Sequence, residues 1–327
     1  MGNIHMHHKS CTLSIAMTTY NGEAFLRQQL DSIYMQSYQD FELIVCDDCS
    51  TDNTIDILND YKSKYKNIKI YQNETQLGSV KNFEHAIDVC TGEYIALCDQ
   101  DDIWEKEKLE KSMREMHILE KAYPNTPLMI HSDLSMINEN NTMIASSYFT
   151  FRNYQLKKEK DLAFILGPCG IMGNTIVMNR LLKEIILPFP KALVVHDYWI
   201  ALINELYGKR LTLQDPLVQY RIHQKNLSNS ITSIETTLMT KIQKSFTLNF
   251  SLPYMEIERN KVLYYLLKHY TLDVNDKRVI SQFISYLERK ENPLVTFYHL
   301  LRYNFVKRGF WYRYELLIKL LFTRRYR

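Results

Sequence analysis

The 327 residues are 46% hydrophobic and 24% charged, the balance of an ordinary soluble globular protein, and this excludes a disordered chain. Lys and Arg number 40 against 37 Asp and Glu, too even for a protein that grips nucleic acid by neutralising phosphates, so no nucleic-acid partner is expected. Nowhere do about 18 consecutive apolar residues occur, which leaves a spanning helix unsupported and restricts membrane contact to the periphery.

Residues 1–10, with scattered histidines and no apolar h-region, read as a disordered leader. Leu13 to Met17 is a short apolar run that stops at Thr18-Thr19-Tyr20-Asn21-Gly22, the pattern of a buried strand entering a loop. Phe25, Leu26, Leu30 and Ile33 then recur at helical spacing. Phe41 to Cys46 is a second strand ending in Asp47-Asp48, and Ile55, Ile57, Leu58 and Tyr61 mark a second helix. A strand at residues 68–71, a Gly78 turn, a helix around Phe83 to Val89 and a strand from Tyr94 to Cys98 continue the alternation. Strand-helix repetition of this kind predicts an α/β fold with a mainly parallel sheet covered on both faces. Beyond Tyr123 the pattern loosens, with strands expected near Met129 to Ser132 and Ile171 to Met178. After about Ser230 long amphipathic segments nearly free of Gly predict a helical region. The chain divides on this reading into an α/β domain over 11–228 and a helical C-terminal region over 229–327.

Ligand sites in such sheets lie outside the carboxyl ends of the strands, and three successive strands here end in acidic or turn-forming residues. In extended geometry Asp99 and Asp101 of Asp99-Gln100-Asp101-Asp102 project to one side, and two converging carboxylates suit a divalent cation held against phosphates. The structural alternative is a helix N-terminus capped by Asp102 ahead of Ile103-Trp104-Glu105. Asp48, Ser50 and Asp52 mimic the start of a calcium loop, but Asn53 replaces its glycine and Asn59 its final glutamate, so that reading fails. Cys46 and Cys49 form a C-x-x-C without a second pair at zinc spacing, and buried thiols in a reducing, cytoplasmic setting are expected instead. Dehydrogenase and P-loop glycine motifs are missing.

Taken together, S-I-A-M-T-T-Y-N-G from Ser14, D-F-E-L-I-V-C-D-D-C-S-T-D-N-T from Asp40, T-G-E-Y-I-A-L-C-D-Q-D-D-I-W from Thr91 and H-D-Y-W from His196 resemble the family 2 inverting glycosyltransferases of the GT-A fold. The likeness runs from about Leu13 to Asn226, and D-Q-D-D-I-W with Y-R-I-H-Q-K-N from Tyr220 is most similar to the bacterial rhamnosyltransferase-like branch. The resemblance implies a nucleotide-diphosphate sugar as donor, dTDP-rhamnose or a UDP-sugar, and Mg²⁺ or Mn²⁺ as cofactor. It places Thr19, Tyr20 and Glu23 in the nucleoside pocket, Asp48 on the base, and Asn82, Asp99 and Gln100 along the nucleotide-sugar. Asp101, Asp99 and His223 become the metal-side residues and Arg221 a pyrophosphate contact, although Arg221 pairing with Asp215 is the plain structural alternative. Asp197 takes the role of general base, with His196 where the family more commonly has an acid. His131, Asp133, His196 and Trp199 are the acceptor-side candidates, Trp199 for stacking on a sugar ring.

Near the C-terminus Arg308, Tyr312, Glu315, Lys319 and Thr323 share one helical face, opposite Phe310, Trp311, Leu316, Leu317, Leu320 and Leu321. Such a basic amphipathic helix reads as peripheral contact with the inner face of a cell membrane, which suits a lipid-linked glycan acceptor in surface polysaccharide synthesis; docking on the catalytic domain or in a homodimer interface is the alternative. A nucleotidyltransferase and a non-catalytic nucleotide-sugar-binding subunit of a membrane assembly are the competing functions. The joint presence of Asp101 and Asp197 favours the glycosyltransferase, since a degenerate binder has no chemical use for both.

Overall fold

The computed structural model describes residues 12–154, 156–223, 254–288, 292–303 and 305. The leader, Cys11, the boundary expected at 228 and the basic terminal helix lie outside the described residues.

The expected alternation is present. The strands β1 (Leu13–Thr19), β2 (Phe41–Asp47), β3 (Ile68–Gln72) and β4 (Tyr94–Cys98) are interleaved with the helices α1 (Leu26–Tyr34), α2 (Thr54–Lys64) and α3 (Ser79–Asp88). These strands lie parallel in the order β3-β2-β1-β4, with Leu13 opposite both Phe41 and Tyr94. Alternation of side chains sorts the strands into two cores. Ile15, Met17, Leu43, Val45 and Ala96 face the α1–α2 side, whereas Ala16, Ile44, Cys46, Ile95 and Leu97 face the α3 side. Burial on both faces explains why these strands read as continuous apolar runs.

From β4 onward the sheet becomes mixed. The two-residue strand β5 (Ile103–Trp104) precedes helix α4 (Lys108–Ala122). Asp102 therefore caps no helix. The long β6 (Leu128–Asn138) carries the short β7 (Met143–Ala145), and helices α5 (Tyr148–Phe151) and α6 (Leu162–Leu166) follow. The strand expected at Ile171 to Met178 is instead a single 3₁₀ turn, Gly173–Thr175, leading into β8 (Val177–Asn179). Helices α7 (Arg180–Ile186) and α8 (His196–Tyr207) precede β9 (Lys209–Ile222), a strand the sequence reading does not anticipate. The full order is β3-β2-β1-β4-β8-β6-β9-β5, with β8 antiparallel to β4 and β6, and β9 parallel to β6.

Among the described residues, the helical C-terminal region contains α9 (Tyr254–His269), α10 (Val274–Glu288) and α11 (Pro293–Tyr303). It packs on the α/β core: Val262, Leu263, Leu266, Ile280 and Phe283 share one buried cluster with Trp199, Ile203 and Leu166. Of the five described cysteines four are buried, and none of the five is in a disulfide. Burial pushes the Cys46, Cys90 and Cys169 thiols up to about 12, so they act as small apolar groups rather than redox partners.

Candidate active site

The carboxyl ends of β1, β2, β4 and β9 open on the same side of the sheet. Antiparallel β8 adds the turn that precedes it, because Ile176 accepts a hydrogen bond from the Leu97 amide at the end of β4 (3.0 Å). The predicted motifs therefore meet at one edge, as strand-end chemistry requires.

Asp101 and His223 are brought together from 122 residues apart, with His223 Nε2 2.8 Å from Asp101 Oδ2. The imidazole also packs on Phe25, ring centroids 5.1 Å apart. Next to them Asp99 and Asp102 have carboxyls raised above the usual carboxylate range, chiefly by burial and then by mutual repulsion with Asp101. Asp102 is fully buried; it accepts from Asn174 Nδ2 (2.5 Å) and from the Arg221 amide (3.0 Å). Beneath this acidic loop lies the buried Lys108, its Nζ 3.2 Å from the centroid of the Trp104 ring, and burial depresses its ammonium to about 7. The sequence reading misses Lys108, Asn174 and the β9 frame that holds this loop.

Arg221 does not pair with Asp215; it is fully buried behind the acidic loop. Its Nε donates to the Asp101 carbonyl (2.8 Å), one terminal nitrogen to Gln28 Oε1 (2.7 Å) and the other to Asn141 Oδ1 (2.5 Å). The guanidinium stacks on Phe25 at 4.5 Å. Asp215 pairs with Lys111 instead (2.8 Å). A planar fork satisfied this fully locks backbone geometry, and here it fixes the residue that meets His223.

Asp197 occupies the first turn of α8, where backbone amides and the positive helix end favour a carboxylate. Its Oδ2 accepts from the Gly173 amide (3.2 Å). Burial nevertheless raises the carboxyl to about 6, against the lowering effect of those amides and of Arg259. This is the range in which a carboxylate serves as a general base near neutral pH. His196 stacks on Phe83 (3.9 Å between centroids), and burial drives its imidazole down to about 3, so it stands neutral beside Asp197. The 3₁₀ turn joins both halves of the site, Gly173 holding Asp197 and Asn174 holding Asp102.

On the nucleoside side, Gln100 bridges to the Tyr20 backbone, accepting from its amide (2.8 Å) and donating to its carbonyl (3.1 Å). The Tyr20 ring is 45% exposed and available to a ligand. Thr19 is buried and donates to Asp47 (2.8 Å), and Glu23 accepts from both nitrogens of Asn53 (3.0 and 2.6 Å). Asp48 is buried and accepts from Asn73 Nδ2 (2.9 Å) and from the Leu77 and Gly78 amides (2.7 and 2.8 Å), so it latches the 73–78 loop. Asn82 donates to the Cys46 carbonyl (2.8 Å) and accepts from Asn73 (2.9 Å). Asp52 accepts from the Thr54 amide (3.0 Å) at the start of α2.

Three acceptor-side candidates are displaced by the structure. Trp199 is fully buried, donates to the Ile186 carbonyl (2.9 Å) and packs on Tyr265 and Tyr270, so it stacks on protein rather than on a sugar. His131 is buried in β6 against Thr212 (2.8 Å), and Asp133 spends its carboxylate on Ser147 Oγ (2.5 Å) and the Leu134 and Phe149 amides (2.8 and 3.0 Å).

A curled mixed sheet between helical layers, with acids and a histidine at its carboxyl edge, defines a GT-A-like α/β enzyme. Two solved structures share that fold over nearly the whole chain. Residues 1–349 of TarS from S. aureus align with TM-score 0.51 and 18% identity over 95% of this chain and 90% of that fragment. The mannosyltransferase PcManGT from Pyrobaculum calidifontis aligns with TM-score 0.53 and 15% identity over 95% and 87%. The family profile of Glycosyl transferase family 2 matches residues 14–185. The chain belongs to that family and is a glycosyltransferase, which sets aside the nucleotidyltransferase and the non-catalytic subunit. Among sequence relatives, the putative glycosyltransferase EpsE of Bacillus subtilis is 40% identical over 102 residues, 31% of this chain and 37% of that protein. WfgD of Escherichia coli, a UDP-Glc:α-D-GlcNAc-diphosphoundecaprenol β-1,3-glucosyltransferase, is 29% identical over 67% of this chain and 80% of its own.

Proposed function

We propose that the chain transfers a sugar, with inversion, from a nucleotide-diphosphate donor to a hydroxyl of a lipid-linked glycan in bacterial surface polysaccharide synthesis. The observation that carries this reading is the convergence of the Asp101–His223 pair with Asp197 at one sheet edge, tied together by the 3₁₀ turn whose Gly173 holds Asp197 and whose Asn174 holds Asp102. A UDP-sugar or dTDP-rhamnose is the donor. In support, WfgD carries a UDP-glucose donor and a diphosphoundecaprenol acceptor in its name, and TarS has been solved with UDP and with UDP-GlcNAc.

Asp101 Oδ2 and His223 Nε2 offer one hard oxygen and one imidazole nitrogen, and no third His, Cys, Asp or Glu completes a cluster among the described residues. That donor set fits Mg²⁺ or Mn²⁺, which commonly take one or two carboxylates and leave the remaining positions to substrate phosphates. PcManGT, solved with GDP-Man and Mn²⁺, is in keeping with it. Once bound, such an ion neutralises charge on the departing diphosphate.

The chain's own residues supply the rest. Asp197 accepts the proton of the acceptor hydroxyl as the new bond from that oxygen to the anomeric carbon forms. The bond to the diphosphate breaks on the opposite face, and the nucleoside diphosphate leaves with the electron pair. The Gly173 amide and the first turn of α8 keep Asp197 aimed during this step. Arg221 and Gln100 fix the backbones of Asp101 and Tyr20 on either side of the donor. With one carboxylate acting as base and none as covalent nucleophile, inversion follows.

Placement at the inner face of the membrane is part of the same proposal, supported by the basic terminal segment read from sequence; none of the described helices is long and apolar enough to cross a bilayer. The test is nucleoside diphosphate release from UDP-, dTDP- and GDP-sugars with Mn²⁺ or Mg²⁺. Turnover of one donor class that needs metal, falls in Asp101→Ala and is lost in Asp197→Asn is the expected result. Full turnover in Asp197→Asn overturns the base assignment.

A further inference from the structure

The C-terminal helices do more than cover a face of the core. Arg259, half-buried on α9, lays its guanidinium 4.5 Å from the Tyr198 ring centroid, the residue after the proposed base. One guanidinium nitrogen donates to the carbonyls of Leu166 (3.4 Å) and Gly167 (3.2 Å), which close α6. Gly167 lies so close to the carbonyl of Phe305 that a Cβ there would collide with it, a second point at which the C-terminal region grips the same corner. The segment leaving that corner runs directly to Gly173, whose amide holds Asp197.

We propose that Arg259 is a positioning residue for the transfer reaction: it locks the α6 corner that leads to Gly173 and sets a positive charge against the ring of Tyr198, the residue next to Asp197. The proposal rests on the reading of Asp197 as the base. Its consequence is that the C-terminal helical region belongs to the catalytic unit, because the cation that favours the ionised base comes from it.

The other titratable groups around Asp197 do not supply that charge. Asp99, beyond β4, repels it. Tyr148 on α5 and Cys169 after α6 have their protons held by burial and by Asp197 itself, and His196 on the same helix is kept neutral by burial. Among the described residues, Arg259 is the cation that lowers the Asp197 carboxyl.

The direct test is a carbon-13 NMR titration of the Asp197 carboxyl in the full chain labelled at aspartate, assigned by Asp197→Asn, and run without donor or metal. The expected midpoint in the wild type is about 6. In R259Q it rises by on the order of one pH unit, as when a neighbouring positive charge is removed, and in R259K it stays with the wild type. A wild-type midpoint in R259Q overturns the proposal, as does an equal rise in R259Q and R259K. If R259Q does not fold, R259M takes its place; if neither folds, a midpoint raised in R259K overturns the proposal and an unmoved one supports it. Because the readout is a proton and not turnover, its failure is distinct from failure of the base assignment, which shows as retained transfer in Asp197→Asn.

Discussion

Asp197→Asn is expected to abolish transfer and yet stabilise the chain at neutral pH. The native carboxyl titrates at about 6 against an ordinary 3.8, so the folded state holds this proton more tightly than the unfolded state does. Stability from this group is therefore complete below pH 3.8 and drains away as pH rises through about 6. Roughly two pH units at about 1.4 kcal/mol each gives an upper estimate of about 3 kcal/mol of destabilisation carried by the ionised base. Asparagine is neutral at every pH and its Oδ1 can still accept from the Gly173 amide, so the variant escapes that cost. Urea unfolding of both proteins across a pH series should show them nearly equal in acid, with the variant gaining as pH rises toward about 6 and a constant gap above that. A gap independent of pH, or a variant less stable at neutral pH, would refute the claim that burial strains this carboxylate.

Two further perturbations probe the frame around the site. Arg221→Met should cost about 3–5 kcal/mol, because it leaves the Asp101 carbonyl, Gln28 and Asn141 facing no donor in the interior. It should also weaken Mn²⁺ binding in a direct titration as Asp101 loses its backbone anchor; Arg221→Lys should recover little of either, since an ammonium cannot span those acceptors, and near wild-type behaviour in the lysine variant would contradict the clamp. In Gly173→Ala the new Cβ would lie 2.8 Å from His196 Nε2, which pushes on the turn that aims the base. The expected outcome is a kcat reduced by about 10- to 100-fold with donor KM nearly unchanged, and equal losses in both would point to general disruption instead.

The first four strands and three helices are legible in the sequence because each buried strand is an apolar run and each helix repeats its apolar residues every three or four positions. Strand β9 is not, because Gln214-Asp215-Pro216 reads as a break. The sheet absorbs it in a register shift, moving Pro216 opposite Asp133 where Leu213 had faced Ser132. Trp199 was open to correction from helix geometry alone. Two residues beyond Asp197, it is turned about 200° around α8, so a base facing the cleft puts the tryptophan in the core. Short-range signals singled out Asp101, His223 and Asp197 as candidates, but the partners that hold their surroundings in place come from far along the chain. Arg221 reaches Asp101 across 120 residues and Asn174 reaches Asp102 across 72, separations that no spacing rule encodes.

The mixed character of the sheet is what makes the site possible. A purely parallel sheet would present only strand ends at this edge, and those ends are acidic in β2 and beyond β4. Antiparallel β8 brings the start of a strand to the same edge, and with it the Gly173–Thr175 turn whose amide and asparagine side chain are donors. Strand β9, running with β6, then delivers Arg221 and His223 to that edge from the other flank. Donors from β8 and β9 thus surround acids from β4 and α8. Those donors reach Asp102 and Asp197 directly, from Asn174, the Arg221 amide and the Gly173 amide, while Asp99, held among the other acids, has its carboxyl raised by burial and by their repulsion.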